Sequence, residues 1–274
     1  MQEQPNKTPA EAAKPFTAAK PLKTDASPST RSLVLDDGPL SIWLFSQAQD
    51  EALTRAVQQL RYDIYHHDMG LDTPDMDHAR RLDIEDNDPI SDCLVAMDGE
   101  QIVGCMRLQT SGTGDFYAEK EFVLQGPSWQ QHPLVEGARF AIRSEYRDGR
   151  VPLLLFSAFR RYCKQRNIRH LLSVSIVSDP QRRDTFALRI FRYLQERTHL
   201  ALERGRPAPG YEHPLDLAHA AELSPIDQDA LPPMARMLAN RRTTLCSAPA
   251  YCRRFNTWNF LLVTELRGRT KERA

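Results

Sequence analysis

Two apolar runs, Cys93–Met97 and Gln101–Leu108, are separated only by Asp98-Gly99. An Asp-Gly pair between apolar runs is a strong short-range signal for a β-hairpin closed by a type I′ turn. The runs that follow alternate in period. Leu134–Ile142 reads as a third strand, residues 152–167 as a helix, Leu171–Val177 as a strand and residues 180–199 as a second helix, with Pro180 suited to its first turn. Upstream, Leu40–Phe45 is a strand. Asp50 then opens a helix whose apolar positions Leu53, Val57, Leu60 and Ile64 recur at three- and four-residue steps until Gly70 ends it. Arg61 and Tyr65 share one face of that helix. Antiparallel strands followed by alternating helices and strands give one mixed α/β layer structure.

The rest of the chain sets the domain limits. Residues 1–32 are rich in Pro, Ala, Lys, Ser and Thr with Phe16 the only aromatic, so they cannot bury enough surface to offset their ordering entropy and are expected to be a disordered tail. Residues 33–268 are then a single domain. Within it, Leu71–Pro89 is acidic and irregular and reads as a long surface loop of the kind that is more often functional or disordered than neutral. Residues 205–233 carry much of the proline and read as an irregular insertion, with too little chain beyond them for a second core. Met234–Arg242 looks like a short helix and Trp258–Thr264 like a terminal strand. There is no internal repeat.

Charge and composition exclude several classes. The chain holds 36 Lys+Arg against 36 Asp+Glu, which argues against a nucleic-acid binder held by long-range charge. It has no run of about 18 apolar residues and no apolar signal core at its start, so the expectation is a cytoplasmic protein that touches a membrane at most transiently. Five cysteines at no zinc-like spacing point to reduced, structural thiols. His66, His67 and His78 stand among Asp68, Asp72, Asp75 and Asp77, but an irregular stretch has no register that would converge them, and no metal is expected.

The turn after the third strand, Arg143-Ser-Glu-Tyr-Arg-Asp-Gly-Arg-Val-Pro152, joins a strand to a helix and places Gly149 among Arg143, Arg147 and Arg150. Free N–H groups at a helix start and arginine forks suit a phosphate. A solvated connection with its arginines in water is the alternative. One glycine is well short of a nucleotide phosphate loop. Arg107 interrupts an otherwise apolar strand, where an unpaired charge is costly, so it lies at an edge or is bound to something.

These pieces together resemble a known family. The strand–turn–helix resembles the pyrophosphate loop of Gcn5-related N-acyltransferases. Arg61-x-x-x-Tyr65, Asp83-x-Glu85-x-x-Asp88, Val103-Gly-Cys-Met-Arg-Leu108 and Glu136-Gly-Ala-Arg139-Phe140 resemble in order and spacing the charged signature of acyl-homoserine lactone synthases, a skeleton that also occurs in N-acyl amino acid synthases. Phe116-Tyr-Ala-Glu-Lys-Glu-Phe122, Pro232-Pro-Met, Ala248-Pro-Ala and Phe255-Asn-Thr-x-x-Phe260 are similar to segments of the ornithine-lipid, or hemolysin-like, acyltransferase branch. The likeness covers about residues 40–265 and is specific only in combination. Two departures bear on the acceptor: Cys93 stands where the branch has His, and Glu136-Gly-Ala-Arg139 replaces Glu-Leu-Gly-Arg.

The resemblance implies an N-acyltransferase that moves a long-chain acyl group, simple or 3-hydroxylated, from acyl carrier protein to the α-amine of an amino acid, ornithine, giving a lyso-ornithine lipid. The alternatives it carries are an acyl-homoserine lactone or other N-acyl amino acid synthase, and an inactive carrier-binding protein. No resident cofactor is implied, because the acyl-phosphopantetheine thioester is a co-substrate. An α-amine is mostly protonated at neutral pH, so a carboxylate must relieve it of a proton, and Glu136 is the residue implied. An ion pair with Arg139 is the competing role for Glu136. Residues three apart on a strand face opposite ways unless a bulge intervenes. Asp83, Glu85 and Asp88 are placed to hold cationic groups of the acceptor, and Arg61, Arg107 or Arg139 its carboxylate. Arg143, Arg147, Gly149 and Arg150 would meet the donor phosphate. Arg160, Arg161, Lys164, Arg166, Arg182, Arg183, Arg189 and Arg192 would form a basic face for the acidic carrier.

Overall fold

The computed structural model describes residues 30–126, 133–179, 181–253 and 255–266, without the side chains of Pro233 and Met234. It opens on β1 (Arg31–Asp37), which pairs antiparallel with β2 (Leu40–Ser46). Arg31 and Ser32, placed in the tail by composition, are therefore strand residues, and residues 1–29 of that tail lie outside the described residues. The helix α1 (Glu51–Tyr62) begins where expected, because the Asp50 carboxylate accepts from the Leu53 N–H at 3.0 Å and so caps an orphan donor. Its last turn widens into a π-helical turn, Asp63–Asp68, in which the Met69 N–H reaches back to the Ile64 carbonyl at 3.1 Å.

The acidic stretch is not wholly irregular, since β3 (Met76–Asp77) and β4 (Leu82–Asp83) pair within it. β5 (Asp92–Asp98) and β6 (Gln101–Thr110) form the hairpin read from the sequence, with one correction to its turn. Asp98 pairs with Gln101, so the loop residues are Gly99 and Glu100 rather than Asp98 and Gly99. Only Gly99 has a left-handed φ, 57°, which is the demand of a type II′ turn and not of type I′.

β7 (Phe122–Leu124) lies off the main sheet, and β8 (Leu134–Ile142) matches the third predicted strand residue for residue. α2 (Arg150–Gln165) and β9 (His170–Ser178) follow. α3 (Asp184–Arg197) starts later than the sequence suggests, and Pro180 lies outside the described residues. Three short pieces, β10 (His199–Leu200), β11 (Gly205–Pro207) and α4 (Pro233–Leu238), precede β12 (Thr243–Leu245), β13 (Ala250–Cys252) and β14 (Thr257–Glu265). β11 pairs with β7, so part of the proline-rich insertion clamps the segment after β6.

The main sheet runs β1-β2-β5-β6-β8-β9-β14-β12-β10, with β13 on β14. Strand alternation gives it two different faces. One carries Met106, Leu108, Val177, Phe260 and Leu262 against Leu155, Phe159, Leu188 and Phe191 of α2 and α3. The opposite face holds two smaller apolar clusters. Cys93, Val95 and Cys105 meet Leu53, Val57 and Leu60 of α1, and Leu172, Leu261 and Val263 meet Phe116, Ala118 and Phe122. Arg61, Arg107 and Glu136 lie between these two clusters.

The break in the sheet lies between β8 and β9, which run parallel and pair only at Leu134–His170, Val135–Leu171 and Glu136–Leu172. Beyond that point β8 stays with β6 as far as Ile142, and β9 stays with β14 as far as Ser178. The two strands therefore part like a fork just after Glu136. A bulge in β8 accompanies the parting. Between the Arg107–Ala138 and Cys105–Ala141 pairs, Arg139 and Phe140 oppose the single residue Met106, and Arg139 takes the left-handed φ of 51° that accommodates the extra residue.

Candidate active site

The bulge bears directly on the competing role for Glu136, an ion pair with Arg139, and the two carry separate partners. Arg139 donates to Asp75 at 2.8 Å and stands 3.6 and 3.5 Å from Asp83 and Glu85. Both Glu136 oxygens accept backbone N–H groups, from Tyr117 at 2.9 Å and Ala118 at 2.7 Å, at the start of the 3₁₀ turn Tyr117–Lys120. Burial raises the Glu136 carboxyl above its ordinary range, and those two donors together with Arg107 pull the other way.

Arg107 is not at an edge, because β6 runs between β5 and β8. It is instead bound, pairing with Glu85 and lying 3.5 Å from Asp88. Its compensation is incomplete. Neither Nε nor Nη2 has a hydrogen-bond partner, although the side chain is 1% exposed. Burial and the neighbouring Arg139 lower its pKa to about 9, which we read as unbalanced positive charge, since arginine does not deprotonate in proteins.

Arg61 is the opposite case. Its Nε is 2.8 Å from Asp83, its two terminal nitrogens reach Asp88 at 2.9 and 2.6 Å, and Nη2 also meets the Asp83 carbonyl. Burial disfavours its charge, yet Asp88 and Asp83 outweigh that and hold its pKa up. Asp88 is fixed in turn by Gln58 at 3.0 Å. The sequence-predicted acceptor residues Arg61, Asp83, Glu85, Asp88, Arg107 and Arg139 are therefore one buried network. Within it the carboxylates serve the arginines, and the spare donors are on Arg107 and on Arg139 Nε. Tyr117 closes the cluster, with Arg107, Arg139 and Lys120 lying 5.9, 5.2 and 5.2 Å from its ring centre.

The donor-side residues sit at the carboxyl end of β8, where the fork opens. Gly149, φ 111°, precedes the first residue of α2. The three arginines already have protein partners, Arg147 and Arg150 while exposed. Arg143 donates to the Ile102 carbonyl at 3.0 Å, Arg147 to the Ile142 carbonyl and to Asp68, both at 2.8 Å, and Arg150 to Asp37 at 2.8 Å. The basic face is similarly committed. Arg161 holds the Val34 carbonyl, Arg166 pairs with Asp92, and Arg183 with Asp179. Arg189 and Arg192 tie α3 to carbonyls of residues 221–225. The histidines stack with Tyr62 as rings about 5 Å apart, and no group of them could hold a metal among the described residues.

Four site residues were not singled out from the sequence: Asp75, Tyr117, Glu121 and Asn259. Tyr117 and Glu121 lie inside the Phe116–Phe122 segment that carried part of the resemblance, and Asn259 inside Phe255–Phe260. Asp75 has no local signal, being one acidic residue among many.

Residues 60–157 match the family model described as an acetyltransferase (GNAT) domain. That span runs from the end of α1 into α2 and contains Arg61, Arg107, Glu136, Arg139 and Gly149. With the forked sheet, it gives a mixed α/β fold that resembles a Gcn5-related N-acyltransferase over that span. Two curated relatives narrow the likeness. The chain is 30% identical over 139 residues to an L-ornithine N(alpha)-acyltransferase of Rhodobacter capsulatus, covering 47% of this chain and 54% of that protein. It is 27% identical over 134 residues to the Brucella abortus protein of the same name, covering 44% and 48%. The matches thus span about half the length of these relatives. Among solved structures, the AHL synthase LasI is similar at 15% identity and a TM-score of 0.46, covering 84% of this chain and 91% of that one. The motif-based resemblance and these comparisons agree on the family. No helix among the described residues is long and apolar enough to cross a membrane.

Proposed function

We propose that the chain is an amino-acid N-acyltransferase, which moves a long-chain acyl group, simple or 3-hydroxylated, from acyl carrier protein to the α-amine of ornithine and yields a lyso-ornithine lipid. One observation carries the reading: a buried carboxylate, Glu136, stands at the last paired position before β8 and β9 part, beside an arginine with unused donors. The parted strands expose unpaired backbone groups that can take an extended, amide-bearing arm such as phosphopantetheine in the manner of an added strand. The start of α2, where the Arg150 N–H is held by Asp148 at 3.1 Å, lies at the mouth of the fork for the phosphate to take over that donor. Arg107, with Nε and Nη2 free, takes the α-carboxylate of the acceptor in a bidentate fork. This brings the α-ammonium next to Glu136, which relieves it of a proton directly or through water. Asp83, Glu85 and Asp88 then hold the arginines in place rather than touching the acceptor. The reaction is cytoplasmic, and the lipid product leaves through transient contact with the membrane.

Incubation with acyl carrier protein thioester and a panel of amino acids, read by mass, tests this directly. Ornithine acylation is the expected result. Formation of a lactone from S-adenosylmethionine would favour the lactone synthase that Glu136-Gly-Ala-Arg139-Phe140 resembles, and carrier binding without turnover would leave a sensor. Glu136→Gln is expected to lower turnover by about 10²-fold or more while carrier binding persists, and an unchanged rate would remove Glu136 from the mechanism.

A further inference from the structure

Glu121 is a second buried carboxylate on the face that carries Glu136, and it takes no part in the ion network. It is 2% exposed, and no cation lies within ion-pair distance of it among the described residues. Its side chain accepts a hydrogen bond from Asn259 Nδ2 at 2.8 Å. Asn259 belongs to β14 and pairs with Ile176 of β9, four residues beyond the last β8–β9 pair, so this carboxylate lies beside the open part of the fork. The same 3₁₀ turn ties it to Glu136. The Ala118 N–H donates to Glu136, and the Glu121 N–H donates to the Ala118 carbonyl at 3.1 Å. A carboxylate buried without an ion-pair partner is costly unless it is often neutral.

On the reading above, and dependent on it, we propose that Glu121 is the group on which the acceptor's proton comes to rest after Glu136 has relieved the ammonium of it. The balance is complete. The α-ammonium gives one proton by way of Glu136 to the Glu121 carboxylate, and the freed amine attacks the thioester carbon. As the C–N bond forms and the C–S bond breaks, the second proton lost by nitrogen leaves on the phosphopantetheine thiol. Glu121 then releases its proton to water. Its environment suits that task. Burial, reinforced by the charge of Glu136 and opposed by the Asn259 hydrogen bond, pushes the Glu121 carboxyl up to about 7.

The test uses the full chain, decanoyl or hydroxydecanoyl carrier protein and ornithine, with kcat/KM measured from pH 5.5 to 9. Wild type is expected to rise through a limb near pH 7. Glu121→Gln keeps the shape and the Asn259 contact, and is expected to lose about 10²-fold or more at neutral pH and to lose that limb. The pH limb is the readout that a structural role would not move, and stability checks the raised carboxyl separately. A carboxyl whose folded pKa is raised stabilises the fold below its ordinary value of 4.5 and withdraws that contribution as pH passes 7. The unfolding midpoint of the variant should therefore lack the wild-type fall between those pH values. If Glu121→Gln does not fold, Asn259→Leu is used instead, and it should move the limb to higher pH. An active wild type with an unmoved limb and unchanged rate in the variants would overturn the role of Glu121 and leave the proposed function standing. A wild type that acylates no amino acid would overturn the proposed function itself.

Discussion

Arg61 and Arg107 are equally buried, and their partners decide what a substitution at each would do. Arg61 meets Asp83 and Asp88 with every nitrogen placed, so Arg61→Met takes the nearest cation from two buried carboxylates and leaves them only the longer contacts of Arg139 and Arg107, 3.6 and 3.5 Å away. Breaking a buried pair in this way costs about 3–5 kcal/mol, and a denaturant midpoint should register it whatever the substrate. Arg107 keeps donors in reserve. Arg107→Lys retains the charge next to Glu85 but loses the fork, so the expected change is in KM for the amino acid, with stability little altered. Hydrogen bonds to charged groups contribute about 1.5–3 kcal/mol, which corresponds to a KM increase of about 10- to 100-fold. An equal loss of stability in both variants would contradict this division. The residue types of the site were legible in the sequence because their spacing matched a family signature. Their pairing was not, because which carboxylate meets which arginine depends on α1 crossing the face of β6.

At the scale of elements, period and caps located most of what forms. Asp50 capped α1, Leu134–Ile142 formed β8, and the apolar run Trp258–Thr264 formed most of β14. Failures fell where local signals are weak. The hairpin turn slid by one residue because a type II′ turn needs left-handed backbone only at Gly99. The pairing of β11 with β7 joins segments about 80 residues apart, and no local pattern announces it. The residues of α3 that looked like a carrier surface are largely straps. Arg189 donates to the carbonyls of Ser224 and Pro225 at 2.9 and 2.6 Å, and Arg192 to those of Ala221 and Leu223. Arg189→Ala with Arg192→Ala should therefore speed amide exchange over residues 217–226 with only a small shift in the global unfolding midpoint. A large global shift with no local change would show that the straps hold the core instead.

For the whole molecule, neutrality is the sum of two opposed regions. Residues 62–121 hold 15 acidic and 4 basic residues, a net of −11, and residues 139–206 hold 16 basic and 6 acidic, a net of +10. Much of this charge is spent internally, as the buried network and the straps show. Arg160 remains exposed on α2, and it is the better probe of carrier docking. Arg160→Glu should raise KM for acyl carrier protein several-fold at low ionic strength, and the effect should fade toward 1 M salt, where the screening length falls to about 3 Å. An effect that survives high salt would point to a packing contact.

The sequence alone determined the mixed α/β class, the hairpin, the helix starts and the set of charged residues that chemistry of this kind needs, because each follows from period, caps or spacing along a few dozen residues. Only the tertiary structure decided that β8 and β9 part after Glu136, that the acidic stretch serves the arginines, and that Glu121 stands without a cation beside the fork. Each of these depends on contacts between segments far apart in the chain, where burial, and not local preference, determines which charges find partners.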